Sequence, residues 1–592
     1  MNRRQIVTSV AVLLIGTTAF THGAGSSVAD AAMKGDTSAV RMLLQQKADV
    51  NATQVDGATA LHWAVYRGDL ETADLLIQAG ANVKAINRAG VTPLALASLY
   101  GNVAMITRLL KAGADATARG ATGETMVMLA AYNGNPEAIK ALAAAGVDVN
   151  ATESVRGTTA LMWASERNSP QAVKVLLELG ADVSARSAPA GLPRYRLEGR
   201  INIPGVQAAQ EVRRRAAAAG RTYQDQLAFE ETNAPGAGPA GGRGRGRGQT
   251  DAAAADAAAA AAADLSFAGL VGNGGGRLTS LVFAAREGNL ESAKLLLEAG
   301  ADVNQVTEYG WTPLAVATNN RNYKLATMLV VDYRADVNMV NKAGWSSLYM
   351  ATDNRNIEGG DYPVPKPDMD DLEYIKTLLD HGADVNFRGI KQNTAVRSNF
   401  TDQWLLEAGA TAFVRASQSC DVALMKLLLA YGADPTVPTA HGDTALTVAA
   451  GLGWVDGLTF ERSPKDSLEA AKLLLDLGLD PNAANPWDGR TALMGAALKG
   501  RSEVVQLLVD RGAKLETRDK GSRDTSNLGS VSAGHTWQAV DYADGLIRFA
   551  TQMPQPRPET AALIRKLMAE RGLVVPPPNR AFETICADVL CE

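Results

Sequence analysis

The sequence predicts an all-α solenoid of helix-turn-helix units joined by β-hairpin fingers, about twelve units long and interrupted by one long insertion. Three observations carry that expectation. A signature of the form GxTxLxxA…LLxxGADVN recurs every 33 or 34 residues. The loop glycines Gly57, Gly90 and Gly123 stand 33 residues apart, and the terminal glycines Gly80, Gly113, Gly146 and Gly180 keep the same beat. Aromatic residues make up only 5% of the chain, which suits a core of Leu, Ala and Val between short helices.

Taken in order, residues 1–24 read as a transport signal. Asn2, Arg3 and Arg4 form a basic start, Ile6 to Phe20 is a mostly apolar run, and the small residues Thr21, Gly23 and Ala24 follow. The run is too short to span a bilayer comfortably, so cleavage and release are expected, with no membrane anchor afterwards. Arg3 and Arg4 leave the twin-arginine and general secretory routes both open. The mature chain is therefore expected to be periplasmic or secreted.

The first repeat block covers 26–185 with about five units. Its first unit, near 26–56, lacks an opening turn and reads as a cap, and the next four begin at Gly57, Gly90, Gly123 and Gly157. Residues 186–276 shift composition, with GPAGGRGRGRG, an alanine run and GNGGG, and are expected to be mainly disordered because they lack apolar residues to offset the entropy of ordering. The second block covers 277–576 with about seven units, carrying shorter insertions near 357–371, 389–405, 453–466 and 519–531. Those at 389–405 and 519–531, like the long one, fall at a finger; the other two join paired helices. A tail, 577–592, holds Cys586 and Cys591.

Within a unit each residue type has a physical task. Thr59, Thr92, Thr159, Thr279, Thr312 and Thr444 stand where the first helix starts, so their hydroxyls can cap free amides. Pro93 and Pro313 follow at the first helical position, where a missing N–H costs nothing. Gly68, Gly101, Gly134, Gly288 and Gly500 suit the left-handed turn that closes the first helix. Pairs such as Leu75–Leu76 and Leu109–Leu110 supply an apolar stripe on the second helix that no unit can bury alone, so stacking is obligatory. The segment GATALHWAVYRGDLETADLLIQAGANV, from Gly57 to Val83, closely resembles the ankyrin repeat. That resemblance implies a surface that binds other macromolecules rather than a reaction centre. The segments ATDNRNIEGGDYPVPKPDMDDLEYIKTLL and HGDTALTVAAGLGWVDG, with the leader and the cysteine-paired tail, further resemble exported ankyrin proteins of environmental bacteria, a group that implies no particular activity.

The remaining constellations point away from chemistry. Formal net charge is −5, from 58 basic and 63 acidic residues, so no overall charge calls for nucleic acid or an anionic membrane. His62 sits at the family's usual histidine position, where the resemblance implies a bond to backbone between units. The other histidines show no metal-ligand spacing. Cys586 and Cys591 are expected to form a disulfide in an oxidising compartment, and Cys420 reads as a buried spectator. Arg243, Arg245 and Arg247 read as part of a solvated linker, and Asp361 to Asp371 as an extended spacer whose spacing does not match a calcium loop. No GxSxG or GxxxxGK[ST] motif occurs. No catalytic residue, cofactor or metal is expected.

The binding candidates are aromatic and cationic. Trp311 and Trp345 follow the loop glycine in adjacent units, about 10 Å apart if unit spacing follows helix packing, with Tyr309 beside the first. Two readings stay open: exposed anchors for a partner, or rings that cover neighbouring hairpins. Tyr66, Arg67, Tyr100, Tyr132 and Arg167, just before the helix-ending position, should face the concave side. The reading that follows is a monomeric, non-catalytic scaffold for a protein partner. Alternatives are an accessory or protective partner of a periplasmic redox enzyme, as the resemblance suggests for some relatives, and a hydrolase hosted in the insertions.

Overall fold

The computed structural model describes residues 27–189, 276–356, 366–389, 408–453, 463–520, 536–546 and 555–578. Among these, 24 helices form twelve consecutive pairs, from Ser27–Lys34 with Thr37–Gln45 to Ala539–Ala543 with Pro558–Glu570. The leader, most of the long insertion including Arg243, Arg245 and Arg247, part of the acidic spacer, and Cys586 and Cys591 lie outside the described residues.

The capping chemistry appears as expected. Thr92 accepts from the Ala95 amide at 3.1 Å ahead of Pro93, and Asp69 accepts from Thr72 at 2.9 Å to start the second helix of its unit. Gly134 closes its helix at φ 86°, a backbone conformation that a Cβ disfavours. Other units place Asn168, Arg321 and Cys420 at the same turn with φ near 55°, 62° and 53°. First helices are buried almost throughout, as in Met126–Asn133, because neighbours flank them on both sides. Second helices bury one stripe, as Val103–Lys111 does with Met105, Ile106 and Leu109.

The asparagine of the GADVN signature is a clamp between units. Asn51 donates to the Gly80 carbonyl at 3.2 Å and accepts from the Asn82 amide at 2.7 Å. Asn150, Asn338, Asn386 and Asn482 make the same two contacts with the following unit. Each clamp satisfies a helix-end carbonyl that would otherwise lack a partner.

The fingers are tight turns rather than extended ribbons. Gln54 donates to Ala58 at 2.9 Å and Thr307 to Trp311 at 3.0 Å, and three isolated antiparallel bridges are the β-type pairings among the described residues. Many successive fingers are tied by a backbone bond, as from Arg88 to Asp56 at 2.9 Å and from Ser154 to Thr122 at 2.9 Å.

The two repeat blocks stack directly. Ser187 donates to Leu278 at 2.9 Å and Arg277 to Ala188 at 3.0 Å, so the chain leaves and re-enters the stack within a single finger. The fifth unit's first helix, Ala160–Glu166, packs on the sixth unit's, Ser280–Glu287. Arg286 spans that joint to Glu166 at 2.7 Å, and Asn289 donates to the Ser165 carbonyl.

Candidate binding face

Sequence position relative to the loop glycine decides which finger residues face solvent. The residue just after that glycine begins the approach to the first helix, and its side chain turns inward. Trp311 and Trp345 occupy it and are 6% and 2% exposed, with Tyr309 also buried. Together with Ala315, Ala343, Tyr349, Met350 and Ala410 they make a secondary core under the seventh to ninth fingers. The Trp345 ring meets Tyr349 edge-on at 5.0 Å. The expectation of exposed anchors at Tyr309, Trp311 and Trp345 is therefore corrected: these rings cover neighbouring hairpins.

The outward finger position is two residues before the glycine. Val55, Arg88, Val155 and Lys342 are exposed there, and so is Trp487, at 68%. The Trp487 ring lies 5.6 Å from that of His441 on the preceding finger. Sequence reasoning passed over Trp487, although the charged occupants of its position in other units, Arg88 and Lys342, signal an outward side chain.

The five residues expected on the concave side stand where the first helices end. Tyr66 and Tyr100 are 37% and 45% exposed, Arg67 and Arg167 are exposed, and Tyr132 is half-buried. They line successive units in two groups of touching side chains. Trp63 meets Tyr66 edge-on at 5.8 Å, and Tyr66 meets Tyr100 edge-on at 5.7 Å. Tyr132 meets Trp163 edge-on at 5.9 Å, and the Arg167 guanidinium sits 4.4 Å above the Tyr132 ring. Trp63 and Trp163 anchor the floor through indole bonds to Gln54 at 2.6 Å and Thr158 at 2.8 Å. Partial burial, with Tyr66 close by, pushes the Tyr100 phenol above its ordinary value, so it presents a neutral donor and acceptor at neutral pH.

His62 lies beneath this strip. Its Nε2 meets the Val91 carbonyl of the next unit at 3.0 Å, and its Nδ1 meets the Thr59 amide at 3.1 Å. A carbonyl can only accept, so Nε2 carries the proton and Nδ1 accepts. Burial lowers the imidazole below its ordinary value.

The corresponding positions of the eighth and ninth units are buried instead. Asn354, Gln418 and Ser419 are almost inaccessible, and Arg415 is bonded to Asp353 at 2.9 Å and to Ser419 at 3.0 Å. Arg355 pairs with Asp421 at 2.7 Å. The accessible aromatic face thus belongs to the first five units. Among the described residues no group of three or more His, Cys, Asp or Glu could hold a metal ion, and no helix is long and apolar enough to cross a membrane.

Comparisons with known proteins agree with this architecture. A family model described as ankyrin repeats in three copies matches residues 28–120, 113–187, 281–389 and 414–519, more than half of the chain. Protein phosphatase 1 regulatory subunit 27 of Homo sapiens and that of Mus musculus are each 43% identical over 53 residues, 9% of this chain and 34% of the relative. The match thus covers about a third of those relatives' length.

Proposed function

Because this chain belongs to the ankyrin-repeat family, whose units imply a protein partner, we propose that it is a non-catalytic docking scaffold working outside the cytoplasm. The observation that carries the reading is the Tyr66–Tyr100–Tyr132 strip with Arg67 and Arg167, left accessible along the first helices while the same positions of the eighth and ninth units are buried. Tyrosine and arginine on a rigid support are the side chains from which interfaces draw most of their energy. The relatives matched over a short span are named as regulatory subunits, which supports a non-catalytic role. The basic and then apolar stretch from Asn2 to Phe20 supports export.

Two measurements test the two halves. Amino-terminal sequencing of protein from a periplasmic or culture-supernatant fraction is expected to begin just after Ala24; an intact leader on cytosolic protein overturns export. Tyr66→Ala combined with Tyr100→Ala alters accessible side chains, so the fold is expected to persist by circular dichroism. Partner retention on immobilised protein is expected to fall about tenfold or more, given aromatic hot-spot energies of about 2 kcal/mol. Unchanged retention overturns the face.

A further inference from the structure

The accessible face has an uneven charge balance. Of its carboxylates, Glu166 and Glu287 are both engaged by Arg286, at 2.7 Å and 3.0 Å, and Asp30, at the register of Trp63 in the first unit, accepts from the Gln54 side-chain amide at 2.6 Å. Lys34, Arg67 and Arg167 on the same face have no carboxylate within ion-pair distance among the described residues. Two of these cations are positioned by neutral groups: Arg67 donates to the Met33 carbonyl at 3.4 Å, and Arg167 lies over the Tyr132 ring. Their charges are therefore held in place without being neutralised.

Nearby acids are committed elsewhere. Asp36 and Asp69 cap helix N-termini, whose partial positive charge they offset. On the facing fingers, Asp56, Glu124 and Glu153 accept from the amides of their own turns at 2.9 Å each, while Arg88 is exposed. Between the cations lie Met33, Tyr66, Tyr100 and Tyr132, an apolar floor with phenol groups at its rim. Such a surface disfavours a basic partner, which would meet like charge, and complements an anionic one.

We propose that this face takes an acidic polypeptide segment in extended form, with carboxylates on Lys34, Arg67 and Arg167 and apolar side chains on Met33, Tyr66, Tyr100 and Tyr132. The span fits such a segment: five units at helix-packing distances of about 10 Å cover about 40 Å, which an extended chain crosses in about 12 residues at about 3.3 Å each. The proposal rests on the reading that this face docks a protein, and it adds the partner's chemistry.

The test screens the immobilised mature chain against an unbiased library of displayed peptides of about 15 residues, long enough to cross the face. Enriched sequences are then titrated by fluorescence anisotropy. The expected peptides carry an excess of Asp and Glu over Lys and Arg. Arg67→Glu with Arg167→Glu, checked for folding by circular dichroism, is expected to weaken them about tenfold or more, and raising salt from about 0.1 M to about 1 M to weaken them further, because exposed charges are then screened within about 3 Å. Neutral or basic peptides that bind the parent chain and are lost with Tyr66→Ala and Tyr100→Ala overturn the acidic partner while leaving the docking face standing. Enriched peptides indifferent to all four substitutions, or no enrichment, remove both.

Discussion

Replacing Trp345 separates the two roles a finger tryptophan can have. The ring is 2% exposed and packs among Tyr309, Trp311, Tyr349 and Met350. Truncating a buried Trp to Ala costs about 3–5 kcal/mol, most of it lost burial and an unfilled cavity. No hydrogen bond offsets that figure, because among the described residues the Trp345 indole nitrogen has no hydrogen-bond partner. The same orphan donor makes Trp345→Phe informative. That change gives up about 1 kcal/mol of apolar burial at about 25 cal/mol/Å² but removes a buried unsatisfied N–H that costs about 1–3 kcal/mol. Trp345→Phe is therefore expected to be close to neutral where Trp345→Ala is severe. Trp487→Ala is the exposed control and is expected to change stability by less than about 0.5 kcal/mol. A long repeat array need not unfold in one step, so the readout is amide hydrogen exchange in Ser347–Arg355 beside far-ultraviolet circular dichroism. If Trp345→Ala matches Trp487→Ala in opening free energy, the inward placement of the residue after the loop glycine is refuted.

Two further outcomes follow from the backbone and from His62. Lys47 and Arg334 hold φ near 59° and 56° at the ends of second helices, where most units have glycine, and both are exposed; Lys47→Gly and Arg334→Gly are each expected to stabilise by up to about 1 kcal/mol in urea titrations, the cost of a side chain in the left-handed region. His62 has its imidazole pushed below the ordinary value, chiefly by burial, so below about pH 6.5 the unfolded chain binds a proton that the folded chain resists. Stability of the second unit is accordingly expected to fall as pH drops through that value, by at most about 1.4 kcal/mol per pH unit, and His62→Gln to flatten the trend in hydrogen exchange of Ala60–Tyr66.

The fold was legible because its determinants are local. Thr92, Pro93 and the recurring glycines act on their own turns, and the Asn51 clamp repeats with the beat. The concave strip was legible for the same reason, since Tyr66 and Tyr132 stand two residues before the turn residue and Arg67, Tyr100 and Arg167 one residue before it. The finger tryptophans stayed open between two readings because the occupants of that position differ: Ala58, Val91 and Ala410 are apolar and point to an inward side chain, whereas Glu124, Asp443 and Arg490 are charged. The direct stacking across the long insertion was not legible. It depends on Ser187 meeting Leu278, a contact between residues 91 positions apart that no periodicity encodes. The buried Arg415–Asp353 pair was likewise hidden, because a charged residue in a first helix reads as exposed until its partner is placed.

Site-specific photo-crosslinking in the producing cell tests the docking face most directly. A benzophenone side chain at Tyr100 reports from the aromatic strip, and one at Met42, 58% exposed on the second helix of the first unit, reports from another exposed helix surface. The account predicts a discrete protein adduct from position 100 and none from position 42. Equal adducts from both positions, or an adduct from position 42 alone, would contradict it.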